Sequence, residues 1–364
     1  MTQMARQPNY SFKGNQNRSD FAPLNSGVRP LKTPMSIDRV VTLRHPVLAG
    51  ELEPSLEPGG WLQCSESLEA VDCGVVNAFL EKNPDLALRI YKQPGTEWNF
   101  NLQFIASLPA LRHLWLVAEA GDLNDLAVLR SLPQGLKSLI LDTVARYSDK
   151  KQDKPKTHVE VMSRLSELED LAVCGRLTNI DFLASMTALR TLGLWRNKLK
   201  SLTGIGSAGN LEHLVLKSPG PKSVAPLRDL KRLKSLEVWD QRNLSDLRQL
   251  SALPDLARLW ILSCGNNLPL PSFQGFGSLR VLVLHSNSVL ENLASISQAP
   301  ALQCLVLSNS PIFYSVESLE PLAGHPTLRE LRICSNNDRL KQSISDRYGW
   351  KVEYSNFPSD EYLV

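Results

Sequence analysis

The stretch from Leu189 to Leu211 reads LRTLGLWRNKLKSLTGIGSAGNL, and its pattern recurs along most of the 364-residue chain. Its first half has the form LxxLxLxxN, in which alternating apolar residues predict a short strand with one buried face. Its second half places an apolar residue at every third position, the spacing of a 3₁₀ turn. A unit of this size cannot bury its own apolar face and must stack on copies of itself. The stretch therefore predicts a repeat solenoid.

The starts of the units are regularly spaced along the chain. They fall at Leu111, Leu136, Leu168, Leu189, Leu211, Leu233, Leu256, Leu279, Leu302 and Leu328. Successive starts differ by 25, 32, 21, 22, 22, 23, 23, 23 and 26 residues. The longest unit contains the polar insertion ARYSDKKQDKPKTH (145–158), and we expect an insertion of this kind to loop off the solenoid surface.

The remaining segments predict four parts of the chain. These are a disordered basic tail over 1–35, an N-terminal segment and capping helix over 36–85, repeats over 86–338 and a C-terminal cap over 339–364. The tail carries five basic residues and one acidic residue and has no apolar periodicity. The capping helix is predicted over 66–82, and LALRIY (86–91) is predicted as the first strand. The C-terminal cap is predicted as a short helix followed by a strand around Trp350–Tyr354.

Composition limits the functional classes. The net charge of +3 is too small to indicate nucleic acid or membrane binding on its own. No apolar stretch of about 18 residues predicts a membrane span. The N-terminal residues lack an apolar signal core, so we expect a cytoplasmic protein, with non-classical bacterial export left open. The 6 Cys form no CxxC pair and are interpreted as reduced structural thiols.

The repeat pattern carries a family resemblance. LxxLxLxxN is present at Leu189–Asn197, Leu279–Asn287 and Leu328–Asn336, and Cys264 takes the Asn position of its unit. This pattern resembles the leucine-rich repeat family, and its period resembles the short-repeat subclass of phosphatase regulatory subunits and bacterial internalins. In other units the Asn is replaced by Glu119, Val144, Arg176, Pro219, Gln241 and Ser310, which predicts an incomplete ladder of buried amides.

The resemblance implies an α/β fold of a particular kind. It is a right-handed superhelical solenoid with parallel strands on the concave face and 3₁₀ or short helical turns on the convex face. It also implies a protein that binds other proteins and is not an enzyme, an expectation that rests on analogy of fold.

The third, fifth and seventh residues of each unit are predicted to face the concave side, because the leucines point inward. In a parallel sheet in register these positions form columns with about 4.8 Å between repeats. Four of the 7 Trp fall in the columns, where chance would place about 0.6. Large aromatic side chains dominate binding interfaces, so we interpret the columns as a partner-binding surface. The predicted partner-binding residues are Trp115, Trp195, Lys217, Glu237, Trp239, Arg258, Trp260 and His285. An alternative interpretation is that the rings only pack on their neighbours in the sheet.

The predicted function is a non-enzymatic scaffold that binds a partner protein on the concave face, as an adaptor or regulatory subunit. One alternative is a bacterial immunity or inhibitor protein, or a secreted effector that acts by binding. A weaker alternative is association with nucleic acid through the basic tail and the 145–158 insertion.

No catalytic, metal or cofactor site is predicted. GIGSAG (204–209) matches a dinucleotide-binding pattern, but it precedes a predicted strand instead of following one and is interpreted as a turn. His113 and His213 share a column four repeats apart, about 19 Å, which is too far for one metal ion. Cys304 and His285 lie on adjacent repeats but in different columns, which separates them along the strands.

Overall fold

The computed structural model describes residues 40–56, 60–91, 102–119, 129–144, 163–175, 177, 179–197, 199–217, 220–264, 268, 270–285, 293–308, 316–333 and 337–354. All of them belong to one unit of the chain, Leu31–Val364. The predicted basic tail over 1–35 and the 145–158 insertion lie outside the described residues.

The described strands form one parallel sheet in which chain order equals spatial order, β1 to β14. The strands are β1 Val40–Thr42, β2 Trp61–Cys64, β3 Ala87–Tyr91, β4 His113–Glu119, β5 Ser138–Val144, β6 Asp170–Cys174, β7 Thr191–Trp195, β8 His213–Lys217, β9 Ser235–Trp239, β10 Arg258–Leu262, β11 Val281–His285, β12 Cys304–Ser308, β13 Glu330–Ile333 and β14 Lys351–Tyr354. A strand that pairs only with its sequence neighbours, repeat after repeat, is the architecture of a solenoid. The predicted fold is confirmed.

Short turns connect the strands. The helices that lie wholly within the described residues are α1 Ala70–Lys82, α2 Leu293–Ile296 and α3 Asp338–Tyr348. The 3₁₀ turns are Ala49–Glu51, Glu53–Leu56, Leu102–Ser107, Asp181–Ser185, Ile205–Ser207, Ala225–Asp229, Arg248–Ala252, Phe273–Gly275 and Val316–Leu322. Successive turns contact one another, so they build a second layer that runs parallel to the sheet. This is the convex layer that the apolar spacing of three predicted.

At the N-terminal end of the sheet, the order of the strands differs from the sequence prediction. LALRIY forms a strand, but that strand is β3, because β1 and β2 precede it in the sheet. The prediction that it is the first strand is wrong. WLQC (61–64) alternates like a repeat strand, yet it lacks the leucine frame by which the repeats were recognised. Helix α1 lies in the layer of turns between Ala49–Glu51 and Leu102–Ser107.

The leucines of the motif build a continuous core between the sheet and the turns. In the unit that starts at Leu189, the first, fourth and sixth residues are all buried, at 0%, 0% and 2% exposure for Leu189, Leu192 and Leu194. Equivalent leucines of the other units join the same cluster. Burial of an aliphatic side chain contributes about 1.5–3 kcal/mol, which favours stacking of each unit on the next. The intervening residues must face the opposite side of the sheet.

Strands β7, β9 and β10 end at a tight corner of the backbone. The residue after the strand has a positive φ at Arg196, Asp240 and Ser263, with values of 53°, 53° and 52°. At the next position Asn197 Nδ2 donates to Trp195 O at 3.1 Å and to Val173 O at 3.5 Å. Side chains at this position therefore satisfy backbone carbonyls of two successive strands.

Cys264 makes the equivalent contacts in its own unit. Its Sγ donates to Leu262 O and to Val238 O, each at 3.3 Å. The thiol therefore takes the role of the amide at this corner, and Cys264 is buried with 0% exposure. Burial raises the pKa of Cys264 to about 12, so the thiol keeps the proton that it donates.

After β13 the described residues form a helix and then a strand, the two elements that the sequence predicted for this segment. Asn337 caps α3 by accepting from Leu340 N at 3.1 Å, and Gly349 ends it with φ 70°. Trp350 is buried and stacks on Tyr348 with ring centroids 4.7 Å apart. Strand β14 then pairs with β13. Among the described residues, no helix combines the length and the apolar character needed to cross a membrane.

Substitution of Asn197 tests the contribution of the hydrogen bonds at the corner after β7. We expect Asn197→Ala to lower the free energy of unfolding by about 1–3 kcal/mol, because it removes donors from carbonyls that are buried in the solenoid. The matched control is Asn210→Ala. Asn210 Nδ2 also donates to a carbonyl of the preceding repeat, Thr187 O at 2.8 Å, but the side chain is exposed. Urea unfolding of both variants measures the difference, and equal losses would contradict a special role for the corner.

His325 makes the stability of the fold depend on pH. Its Nε2 donates to Ala299 O at 3.0 Å, while Nδ1 accepts from Leu328 N at 3.1 Å. Burial lowers the pKa of His325, and the charge of Arg329 lowers it further. The stabilisation by neutral His325 is fully present above the unfolded pKa of about 6.5 and is lost as the pH falls towards the lowered folded pKa.

We expect urea unfolding of the native chain to show decreasing stability between about pH 7 and pH 5, and we expect His325→Gln to flatten that slope. The control is His45, whose contribution to stability changes with pH in the opposite direction. The pKa of exposed His45 is raised by its hydrogen bond to Asp72 at 3.0 Å, so its contribution is present below pH 6.5 and lost as the pH rises through the folded pKa. His45→Gln should therefore steepen the decrease. An unchanged slope in His325→Gln would refute the assignment.

Candidate functional site

The strand register aligns the predicted columns on the sheet face opposite the leucine core. In the seventh-residue column Trp195 pairs with Lys217, and Lys217 pairs with Trp239. In the fifth-residue column Glu237 pairs with Trp260. The described registers from β4 to β13 match the predicted columns throughout. Cys334, the last predicted member, lies outside the described residues.

Trp195, Lys217, Glu237, Trp239 and Trp260 form what we call the central surface. All five side chains are partly exposed, and they occupy four consecutive strands, β7 to β10. Lys217 Nζ lies 4.6 Å from the centroid of the Trp239 ring, a cation–π contact. Burial lowers the pKa of Lys217, although the charge of Asp240 opposes the shift. The ammonium thus lies over the Trp239 indole with part of its water removed.

Glu237 fixes the orientation of the Trp239 ring. Trp239 Nε1 donates to Glu237 Oε2 at 3.2 Å. Burial raises the pKa of Glu237, while this hydrogen bond and the charges of Arg258 and Lys217 act in the opposite direction. A carboxylate with a net raised pKa is incompletely solvated and incompletely paired. The central surface therefore contains a polar group whose environment would improve on contact with a further donor.

Trp260 and its neighbours extend the surface towards the C-terminal strands. Trp260 is partly exposed and packs against a small apolar cluster of Val283, Val306 and Cys304. Arg258 lies two residues before Trp260 on β10 and is also partly exposed. His285 pairs with Leu262 in the register, and burial lowers its pKa. The structure thus brings seven of the eight predicted residues onto five adjacent strands, roughly 19 Å across.

Trp115, the eighth predicted residue, belongs to a buried cluster with Trp61, Val117, Ile140 and Ala172, and Trp195 packs against the edge of that cluster. Trp115 is on β4, three strands from Trp195, which is roughly 14 Å. Its side chain is only 6% exposed and stacks on Trp61, with ring centroids 5.4 Å apart and an interplanar angle of 16°. The ring faces that would contact a partner at an interface are therefore largely occupied within the chain.

The surroundings of Trp115 include residues that the sequence analysis did not select. Arg89 places its guanidinium 4.4 Å from the Trp115 ring centroid, 5.4 Å from that of Trp61 and 4.9 Å from that of Tyr91. Arg89 and Tyr91 precede Leu111, where the predicted columns begin, and so were not among the predicted residues. Extending the alternation of LALRIY and WLQC backwards would have found them, because Arg89 and Tyr91 alternate with buried Leu88 and Ile90.

The features considered as enzyme or metal sites lie in turns and strands of the repeats. Gly204 has φ 92° and opens the 3₁₀ turn Ile205–Ser207, so GIGSAG forms a turn before β8. Cys304 pairs with Val281, four residues before His285 on β11, and burial raises the pKa of its thiol to about 12. The described residues contain no group of three His, Cys, Asp or Glu side chains placed to hold a metal ion.

Comparison with known proteins adds to this geometry. No protein-family model matches the chain, and no curated protein matches it. Among solved structures, a leucine-rich repeat protein of Leptospira interrogans aligns over 88% of this chain and 76% of its own, at 18% identity and a TM-score of 0.51.

Two further solved structures align less well. The plant peptide hormone receptor RGFR1, solved in complex with RGF2, aligns over 75% of this chain and 40% of its own, at 16% identity and a TM-score of 0.41. Internalin C2 of Listeria monocytogenes aligns over 51% of this chain and 82% of its own, at 16% identity and a TM-score of 0.33. These two are too distant to carry an argument. The 14-stranded parallel sheet and the Leptospira structure together give the conclusion that this chain has the fold of a leucine-rich repeat protein.

Proposed function

We propose that this protein is a non-enzymatic scaffold that binds a partner protein through the central surface on the concave face of the sheet. The observation that carries the proposal is the row formed by Trp195, Lys217 and Trp239, with Trp260 diagonal to it. The three Trp side chains are partly exposed although each has a large apolar area to bury. An aromatic row of this kind fits the hot-spot composition of protein interfaces, in which Trp, Tyr and Arg predominate.

The polar groups of the central surface suit a protein partner better than a small apolar ligand. Lys217, Glu237 and Arg258 place both signs of charge among the aromatic rings, as in an interface that selects its partner by charge complementarity. The Glu237 bond to Trp239 orders one ring before binding, which reduces the entropy lost on association. A partner with an apolar anchor flanked by polar groups would fit this arrangement.

The cellular role of such binding is open to two proposals of similar standing, an adaptor or regulatory subunit and an inhibitor or effector that acts by binding. They differ in how the partner behaves. An inhibitor would abolish the activity of its partner at a 1:1 ratio, whereas an adaptor would leave that activity intact and connect the partner to a third protein. Measuring the activity of a captured partner with and without one equivalent of this chain separates them.

Truncation of the aromatic row tests the proposed function. We expect Trp239→Ala and Trp260→Ala each to weaken partner binding by about 2 kcal/mol or more, roughly a 30-fold rise in Kd, because each removes a ring at the centre of the interface. Partners are captured from an extract of the native cells with the full chain, and affinities are then measured by calorimetry with the purified partner.

The control variant removes exposed apolar side chains from the other side of the protein. Leu48 and Val71 are 56% and 62% exposed and lie outside the concave columns, so Leu48→Ala/Val71→Ala should bind the partner like the native chain. Circular dichroism and urea unfolding establish that all variants are folded. A folded Trp239→Ala/Trp260→Ala variant with native affinity would exclude the central surface as the binding site.

A further inference from the structure

A second group of side chains on the same sheet face has hydrogen-bonding capacity that the fold does not use. We call it the N-terminal cage, and it consists of Trp61, Gln63, Arg89, Tyr91 and Trp115 on β2, β3 and β4. Trp61 and Trp115 are 4% and 6% exposed. They stack above β3, where the side chain of Ala87 packs against the same apolar cluster.

Three donors in this cage lack acceptors. Within the part of the chain that the structure describes, Trp61 Nε1, Trp115 Nε1 and Arg89 Nε are buried atoms without a hydrogen-bond partner. A buried donor without an acceptor has lost its hydrogen bonds to water and gained none in return, which is unfavourable. All three belong to side chains in mutual contact, since the Arg89 guanidinium lies 4.4 Å and 5.4 Å from the two indole centroids. Unsatisfied donors concentrated in one place require a physical explanation.

Arg89 is also a cation without a carboxylate partner. Its Nη1 donates to Gln63 Oε1 at 3.2 Å, and no described Asp or Glu forms an ion pair with it. Burial lowers the pKa of Arg89, and the charges of Tyr91 and Asp142 oppose this shift. A half-buried guanidinium has five donors in a planar fork, which matches the two oxygens of a carboxylate.

We propose that the N-terminal cage binds a carboxylate side chain of an acidic segment in a partner protein. The carboxylate pairs with the exposed edge of Arg89 and accepts from the indole N–H groups. Because those N–H groups are covered in the free protein, binding includes a small tilt of the two indoles. The site lies on β2 to β4, and Trp195 of the central surface packs against the cluster that contains its two indoles. It extends the proposed function, since the partner would contact both regions of one face.

Other anionic ligands fit the cage less well. The indoles of Trp61 and Trp115 stack on each other at 5.4 Å, so they offer no open pair of ring faces for nucleotide bases. A phosphate dianion would find one cation here, and the negative charge of Asp142 acts on that same cation. A single carboxylate balances the charge of Arg89.

The experiment uses the full chain labelled with ¹⁵N and follows its indole N–H resonances by NMR. The probe is acetyl-tetraglutamate amide, and the matched neutral probe is acetyl-tetraglutamine amide. We expect the glutamate peptide to shift two indole resonances downfield in a saturable, salt-sensitive manner, because these N–H groups gain an acceptor. Trp61→Phe and Trp115→Phe assign the resonances. No saturable shift, or an equal response to the glutamine peptide, would overturn the proposal.

Arg89 variants test the assignment of the cation. Arg89→Gln should weaken the glutamate peptide about tenfold or more, and Arg89→Lys should restore part of the affinity, because Lys keeps the charge but loses the planar fork. If Arg89→Gln does not fold, native affinity in Arg89→Lys would count against the proposal. A phosphoserine tetrapeptide that binds more tightly than the glutamate peptide would overturn the choice of a carboxylate.

Failure of this inference is distinguishable from failure of the proposed function. The Trp239→Ala/Trp260→Ala variant should bind the glutamate peptide with native affinity, because the cage is intact in it. If that variant loses the peptide, the peptide binds the central surface and the cage proposal is wrong. If the Trp239→Ala/Trp260→Ala variant binds both the peptide and the partner with native affinity, the cage proposal stands. The central surface is then excluded as the partner-binding site.

Discussion

The common register of the parallel strands is the constraint on which this structure depends. Each unit has one apolar face that is too small to be buried alone, so its leucines are stable only when they lie beside those of the next unit. A shift of one residue between two strands would turn every leucine to the open face. The core therefore fixes the register, and the register in turn fixes which residues lie side by side on the opposite face.

The alignment on that face could be predicted because it follows from the spacing of the leucines. Trp195, Lys217 and Trp239 are adjacent only because their units start 22 residues apart and each has the same number of residues before the strand. The side chain at the corner after the strand could also be predicted. Cys264 occupies the same position in its repeat as Asn197 and contacts equivalent carbonyl groups. In a solenoid, the residues that lie side by side on neighbouring strands can be predicted by counting positions within each repeat.

The sequence did not predict burial within the columns or the beginning of the sheet. A residue in one of the columns faces the open side of the sheet. How much of its side chain is exposed to solvent depends on the size and rotamers of the neighbouring side chains. Trp115 is covered because Trp61 stacks on it and the Arg89 guanidinium lies over its ring, a consequence of three residues on three strands. Strand β2 was missed because Trp61–Cys64 alternates for four residues without the leucines that mark a unit.

Two groups of aromatic residues on one sheet face thus have opposite relations to solvent. In the N-terminal cage the indole faces are occupied by each other and by Arg89, and what is unsatisfied there is polar. In the central surface Trp239 has its N–H satisfied by Glu237, and what is unsatisfied is apolar area. An apolar anchor residue of a partner would therefore gain most binding free energy at the central surface. A hydrogen-bond acceptor would gain most in the N-terminal cage. Because a rigid sheet holds both at a fixed separation, a partner that offers both groups at that spacing would lose less entropy in binding the second after the first.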